Sequence, residues 1–191
     1  KTGAKPHILF ASSIQEERDN LFGKSKREGR ELLARWAEKN DALFTGLIIP
    51  NVFGPFGKPY YNSVIATFCH QLTHNEIPRI EIDASLRLIY IGELTQIIWE
   101  IIMSGYTNAE YKITHTQEKK VSDLLQIIKL YKDTYFDNGI FPELKNTFEV
   151  NLFNTFRCYM DISNYYPVRL TRKTDIRGSF VETIKANTGG Q

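Results

Sequence analysis

An α/β fold built on parallel strands is what this sequence predicts, and three observations carry the prediction. The apolar run His7–Phe10 leads into Ala11, Ser12 and Ser13, as a buried parallel strand does when it delivers polar residues at its C-terminal edge. Residues 20–40 then place Leu32, Leu33, Trp36 and Ala37 at helical spacing, with charges filling the remaining positions. A second apolar run, LFTGLII over 43–49, is closed by Pro50 and Asn51. Strand, helix, strand is a βαβ unit, and in open α/β sheets ligands sit at the carboxyl ends of the strands.

The remaining elements follow in order. Residues 51–59 contain Gly54, Pro55, Gly57 and Pro59 and read as a loop. Residues 62–74 read as a helix with Ile65, Phe68, Cys69 and Leu72 on one side; Asn62 and Ser63 stand where its cap belongs. Short strands are expected over 79–82 (RIEI) and 87–91 (RLIYI), then an apolar helix over 93–104 that includes Trp99, and a strand over 111–114. An amphipathic helix over 121–136, with Ser122 as N-cap, precedes a further helix over 143–160. From Val168 the texture turns charged, extended and glycine-containing, which puts a domain boundary near 165–167. There are no repeats and no low-complexity run.

Composition bounds the function classes. A chain of 191 residues makes one domain, or one and a part. Hydrophobic residues at 42% and aromatics at 13% suffice for a core. A net charge of +2 argues against nucleic acid or an anionic membrane as partner. No apolar run approaches the ~20 residues of a membrane span and no signal peptide is recognisable, so a cytoplasmic address is expected. Cys69 and Cys158 form no motif, implying neither a disulfide framework nor a metal site. His70 and His74 have the spacing of a helical metal pair, but no Glu follows His70 and no third ligand is in view, so they read as surface histidines. Lys5, Lys24, Lys26, Arg27 and Arg30 interleave with Asp19, Glu28 and Glu31 and read as a solvated face.

One constellation carries chemistry. Phe22 and Lys26 are four apart on the predicted helix and so share a face, one turn from each other. An ammonium so placed lowers a phenol's pKa from about 10 and makes it a proton donor near neutrality, whereas Phe offers the ring without the proton. A serine hydroxyl at the end of the adjoining strand can polarise a carbonyl. The same residues 23–26 also read as the basic start of a surface helix, and the sequence leaves both readings open.

Ser12-Ser13 with Lys26 resembles the Ser and the YxxxK lysine of the short-chain dehydrogenase/reductase superfamily, with Phe22 at the Tyr position. The segment PNVFGP over 50–55 is similar to the N-x-x-G-P segment of the extended members, and RLIYIGE over 87–93 to their R-D-F-x-x-V-D-D segment. Together these resemble the NAD-dependent epimerase/dehydratase family, the extended short-chain dehydrogenases that act on nucleotide sugars. Residues 51–68 narrow the resemblance to the bifunctional capsular-polysaccharide reductases of the UDP-N-acetyl-L-fucosamine pathway, in which a cupin domain follows. Residues 174–182 through 189–191 resemble the opening strands of that cupin.

The resemblance implies an organisation and a set of roles. Residues 1–58 would be the C-terminal half of an NAD(P)-binding Rossmann domain, 59–166 a mixed α/β substrate-binding region, and 167–191 the start of a truncated cupin. The sequence contains neither the family's G-x-x-G-x-x-G turn nor the cupin's metal-binding histidines. The expectation is therefore a piece of a longer protein whose parent uses NADP or NAD, the piece itself neither binding that cofactor nor turning over. Half of a doubly wound sheet exposes a strand edge, which favours a homodimer. Ser13 corresponds to the carbonyl-polarising serine, with Ser12 one residue away as the alternative. Phe22 takes the place of the catalytic Tyr, and Lys26 corresponds to the lysine on the nicotinamide ribose. Pro50 and Asn51 would lie by the nicotinamide, Asn51 also by the sugar. Asn62 and Ser63 are weaker substrate candidates. Arg87 would grip the nucleotide diphosphate, which a guanidinium fork can bond at two oxygens at once. Ile48 stands where many relatives have Arg, and no metal is implied. The activity implied for the parent is reduction of the C4 ketone of a UDP-2-acetamido-2,6-dideoxy-hexulose (a UDP-N-acetyl-sugar substrate) in capsular or surface polysaccharide synthesis. Two alternatives stand beside it: a nucleotide-sugar epimerase or dehydratase, and a non-catalytic sugar-nucleotide-binding or assembly module in which Phe22 marks lost chemistry.

Overall fold

The structure, a computed structural model, describes residues 5–186 and divides into two compact units. One comprises residues 5–52 with Leu86–Glu118, the other Phe53–Ser85 with residues 119–186. The elements are those of an α/β protein with parallel pairing, as expected.

In the first unit β1 (His7–Ser13) runs parallel to β2 (Leu43–Ile49), in register from His7 opposite Leu43 to Ser13 opposite Ile49. β1 is three residues longer than its apolar run because the pairing continues through both serines. β2 pairs in turn with β5 (Asn108–Lys112), giving the order β1-β2-β5, all parallel. The crossover is α1 (Leu21–Lys39), entered by a single 3-10 turn, Ile14–Glu17, and capped by Asn20, whose Oδ1 accepts the Gly23 N–H at 2.8 Å. From Phe44 onward β2 is buried on both faces, the burial typical of a central parallel strand. Its Gly46 is required by space: a Cβ there would stand 2.4 Å from the Ala109 carbonyl oxygen and 2.7 Å from Arg30 Cδ.

The apolar stripe expected on α1 is only partly the buried one. Ala37 is buried, but Leu32 and Trp36 are 60% and 47% exposed. The helix buries Gly23, Arg30 and Ala37, a seven-residue period that includes a charge and so escapes a search for apolar residues.

α3 (Ile91–Ser104) contributes Leu94 and Ile101 to a core with Leu47, Ile49, Ile89 and Ile113. It starts two residues before the expected position because the Glu93 carboxylate accepts the Tyr90 N–H at 3.1 Å, and it ends at Gly105 in the left-handed region, φ 64°. A second sheet has the order β3-β4-β6, from Asn51–Phe53, Ser85–Tyr90 and Gln117–Lys120. β3 falls inside the segment expected to be loop, and β6 was not anticipated. Both are short and exist by virtue of β4, a partner that local composition does not announce.

The second unit packs α2 (Val64–Thr73) against α4 (Val121–Tyr131) and α5 (Thr147–Arg157). Phe68, Leu124, Ile128, Leu152, Phe153 and Phe156 are buried there, and Tyr131 meets Phe153 edge-on at 5.2 Å between ring centres. The expected strand over 79–82 is absent: those residues are exposed and unpaired with any strand, and a lone extended segment has no ladder to hold it. The helix expected over 121–136 is α-helical to Tyr131 and closes with one π-helical turn, Lys132–Phe136. Its N-cap is Lys120 rather than Ser122; the Ser122 N–H and O–H both donate to the Asp83 carboxylate, at 2.8 and 2.9 Å. The helix expected over 143–160 shortens because Asn146 caps it, accepting the Glu149 N–H at 3.0 Å.

After the short α6 (Ile162–Tyr165), β8 (Arg172–Asp175) and β9 (Gly178–Val181) form an antiparallel hairpin, and residues 166–186 are exposed throughout. β10 (Lys185–Ala186) pairs parallel with β7 (Ile140–Phe141). Residues 189–191, part of the cupin resemblance, lie outside the described residues. Among the described residues no helix is long and apolar enough to cross a membrane.

Candidate functional site

β1 delivers its two serines to opposite sides, as successive strand residues must. Ser12 is buried, and its hydroxyl donates to Glu16 Oε2 at 2.6 Å. Ser13 caps the 3-10 turn, its Oγ accepting the Gln15 N–H at 3.2 Å. Among the described residues the Ser13 hydroxyl donates to no group, so of the two serines it is Ser13 that keeps a proton for a ligand.

Lys26 reaches the same strand end. Its Nζ donates to the Ala11 carbonyl at 3.1 Å and lies 5.6 Å from the Phe10 ring centre and 5.7 Å from that of Phe22. The i, i+4 spacing therefore places ring and ammonium together on α1, with a cation–π contact where a Tyr would offer a phenol. Phe22 is 42% exposed. α1 approaches the preceding turn this closely because residue 23 is glycine; a Cβ there would fall 2.3 Å from the Gln15 oxygen and 2.7 Å from that of Arg18.

Beneath this end lies an ion pair that sequence reasoning missed. Arg30 belonged to the expected solvated face. Instead its side chain and that of Glu16 are each 5% exposed, with Nη2 3.0 Å from Oε1 and Nε 3.2 Å from Oε2. Burial acts against the charged form of both groups, but the hydrogen bonds and mutual attraction outweigh it. The Glu16 carboxyl lies below its ordinary value and the Arg30 guanidinium above. Gly46 was the available signal: a glycine inside an otherwise bulky strand marks a close approach, and here both the Ala109 carbonyl and the Arg30 side chain approach. Lys24 and Lys5 do lie at the surface, 2.6 Å from Asp19 and 2.5 Å from Asp41.

Pro50 is buried at the junction of β2 and β3. Asn51 Nδ2 donates to the Arg87 carbonyl at 3.0 Å, which joins the two segments of the resemblance while Arg87 itself stays exposed on β4. Ile48, 3% exposed in β2, brings no polar group. Asn62 and Ser63 lie in the other unit. Ser63 accepts the Ala66 N–H at 3.3 Å as N-cap of α2, and Asn62 is exposed just before it. The His70 and His74 rings stack 3.9 Å apart, and Tyr60 meets His70 edge-on.

Residues 3–114 match the model of the NAD dependent epimerase/dehydratase family. The chain belongs to this family. Over 189 residues it is 29% identical to the UDP-2-acetamido-2,6-beta-L-arabino-hexul-4-ose reductase of Pseudomonas aeruginosa, covering 96% of this chain and 50% of that one. Among solved structures it is similar to the capsular polysaccharide assembling protein CapF from Staphylococcus aureus, with a TM-score of 0.82 and 33% identity, over 98% of this chain and 51% of that one. The UDP-N-acetylglucosamine 4-epimerase from Methanobrevibacter ruminantium, at TM-score 0.67 and 18% identity over 83% of this chain and 63% of that one, shares the fold. The chain thus spans about half the length of the reductase and of CapF.

Proposed function

We propose that this chain is the substrate-side part of a nucleotide-sugar reductase acting on the C4 ketone of a UDP-2-acetamido-2,6-dideoxy-hexulose, in surface-polysaccharide synthesis. The observation that carries the reading is the convergence of an undonated Ser13 proton and the Lys26 ammonium at the end of β1. The likeness to a reductase and to a capsule-assembly protein supports the substrate class.

In this reading Ser13 donates to the ketone oxygen and stabilises the negative charge that develops there. The Lys26 ammonium gives one of its three N–H groups to Ala11, leaving donors that fit the hydroxyls of a nicotinamide ribose. That cofactor, NADP or NAD, supplies the hydride when bound to the whole protein. No residue here is assigned to its phosphates, because the sequence has no glycine-rich turn. Asn51 and Pro50 shape the floor, and Arg87 binds the diphosphate. Phe22 holds the ammonium in place but gives no proton, so water protonates the alkoxide. Residues 1–58, 59–166 and 167–191 correspond to the Rossmann half, the substrate region and the cupin start of a cytoplasmic homodimer.

A second reading rests on Phe22 alone: a binding module that has lost its acid. Titration calorimetry of the chain with UDP-N-acetylglucosamine, with NADPH as control, tests the substrate half. Binding of the sugar nucleotide that weakens at least tenfold in Arg87→Ala supports the reading; binding of neither compound overturns it. A second measurement addresses the site. In Phe22→Tyr the added phenol, followed by ultraviolet difference titration against the parent chain, is expected to ionise below about 10. Ordinary ionisation would show that the ammonium does not act on position 22.

A further inference from the structure

The geometry points to the buried Glu16–Arg30 pair as the positioning device of this site: through Glu16 and Ser12, Arg30 fixes the turn that presents the Ser13 hydroxyl. The inference rests on the proposed role of Ser13.

Glu16 is the centre of the device. Its carboxylate accepts Ser12 Oγ at 2.6 Å and two nitrogens of Arg30, and its own carbonyl accepts Arg27 Nη2. Arg30 extends the connection to β5, donating Nη1 to the Ala109 carbonyl at 3.0 Å and pairing with the Glu110 carboxylate at 3.0 Å. One guanidinium thus joins α1, the 3-10 turn and β5, and the turn it holds begins at Ser13. The tether acts on Ser13 through the strand's own geometry: with the Ser12 side chain drawn inward to Glu16, that of Ser13 must face the other way. Glu16 and Arg30 are both buried, so they act on a ligand only through the serines.

Stability alone does not account for such a pair. Replacing a buried ion pair by apolar residues of similar volume is often neutral or stabilising, because desolvation offsets the attraction. What the pair gives that apolar residues cannot is direction. A misplacement of about 1 Å at a reacting group can cost about 100-fold, so a fixed turn under the hydroxyl has functional weight.

The test compares two probes, a UDP-4-keto-6-deoxy-N-acetyl-sugar and UDP-N-acetylglucosamine, which has a hydroxyl at C4. Kd values for the 191-residue chain are measured calorimetrically, and the readout is their ratio, with Tm and circular dichroism as fold controls. The wild-type chain is expected to favour the ketone, and Ser13→Ala to lower that preference about tenfold, the worth of one hydrogen bond. Glu16→Gln and Arg30→Met are expected to lower it equally while leaving affinity for the hydroxyl probe unchanged. Ser12→Ala cuts the tether alone and is expected to lower it about threefold; should both charge variants unfold, this variant decides. If Ser13→Ala loses the preference and the Glu16, Arg30 and Ser12 variants keep it, the pair is structural only and the inference falls while the site reading stands. If the wild-type chain has no preference, or Ser13→Ala leaves it unchanged, the role of Ser13 falls and the inference with it.

Discussion

The two units bury polar groups in opposite ways. The sheet unit takes Ser12, Glu16, Arg30 and Thr45 inside, and the first three form one network that ends at the strand edge where the candidate site lies. In the helical unit buried hydroxyls reach backbone carbonyls, Thr73 Oγ1 that of Tyr159 at 2.9 Å, Thr155 Oγ1 that of Asn151 at 2.8 Å and Tyr131 OH that of Glu149 at 3.1 Å, while Tyr135 OH meets Tyr166 OH at 3.0 Å without any buried charge. Around these closures lie aromatic rings and aliphatic side chains, each worth about 1.5–3 kcal/mol on burial. A local closure serves packing and leaves its neighbours independent, whereas a shared network couples every member to the others. The candidate chemistry sits on the coupled unit.

Mutations separate the two kinds of burial. The largest effects are expected to be equal in size and different in kind. Phe156→Ala should cost about 3–5 kcal/mol through the cavity left among Tyr131, Leu152 and Phe153. Arg30→Met should cost about 3–5 kcal/mol by leaving the Glu16 carboxylate buried without its partner. The double variant Glu16→Met with Arg30→Met is expected to recover most of the second loss, so a double-mutant cycle by urea unfolding should show strong non-additivity. Additive costs would mean the pair is not a unit.

Acid acts on the network through Glu16. The Glu16 carboxyl lies below its unfolded value of about 4.3, so its contribution is fully present above that value and is lost as pH falls through the folded pKa. Arg30 remains charged throughout this window. Stability measured from pH 6 to pH 2 is therefore expected to fall less steeply in Glu16→Gln than in the wild-type chain; parallel acid limbs would show that Glu16 titrates as an ordinary carboxylate. The smallest effect belongs to the exposed hairpin. Phe180→Ser should change stability by no more than about 0.5 kcal/mol, since the ring is exposed. A larger loss in urea unfolding would show that this ring has a buried partner.

Much of the first unit was legible because its signals are local. The βαβ order, the bounds of β2 and the meeting of Phe22 with Lys26 follow from the periods of strand and helix, which residues a few places apart determine among themselves. The family resemblance was carried by short segments for the same reason. Other features were decided by the tertiary structure. β3 and β6 exist because β4 pairs with them, and the extended segment 79–82 remains irregular because no strand does. Ser122 is not a cap because Asp83, 39 positions earlier, takes both its donors. Arg30 is inside because Glu16 neutralises it and Ala109, 79 positions away, accepts an N–H of its Nη1. Period and propensity are properties of neighbouring residues, so the βαβ elements and the spacing of Phe22 and Lys26 could be read along the chain. Strand pairing and the compensation of buried charge depend on groups that only folding brings together, and the tertiary structure decided those.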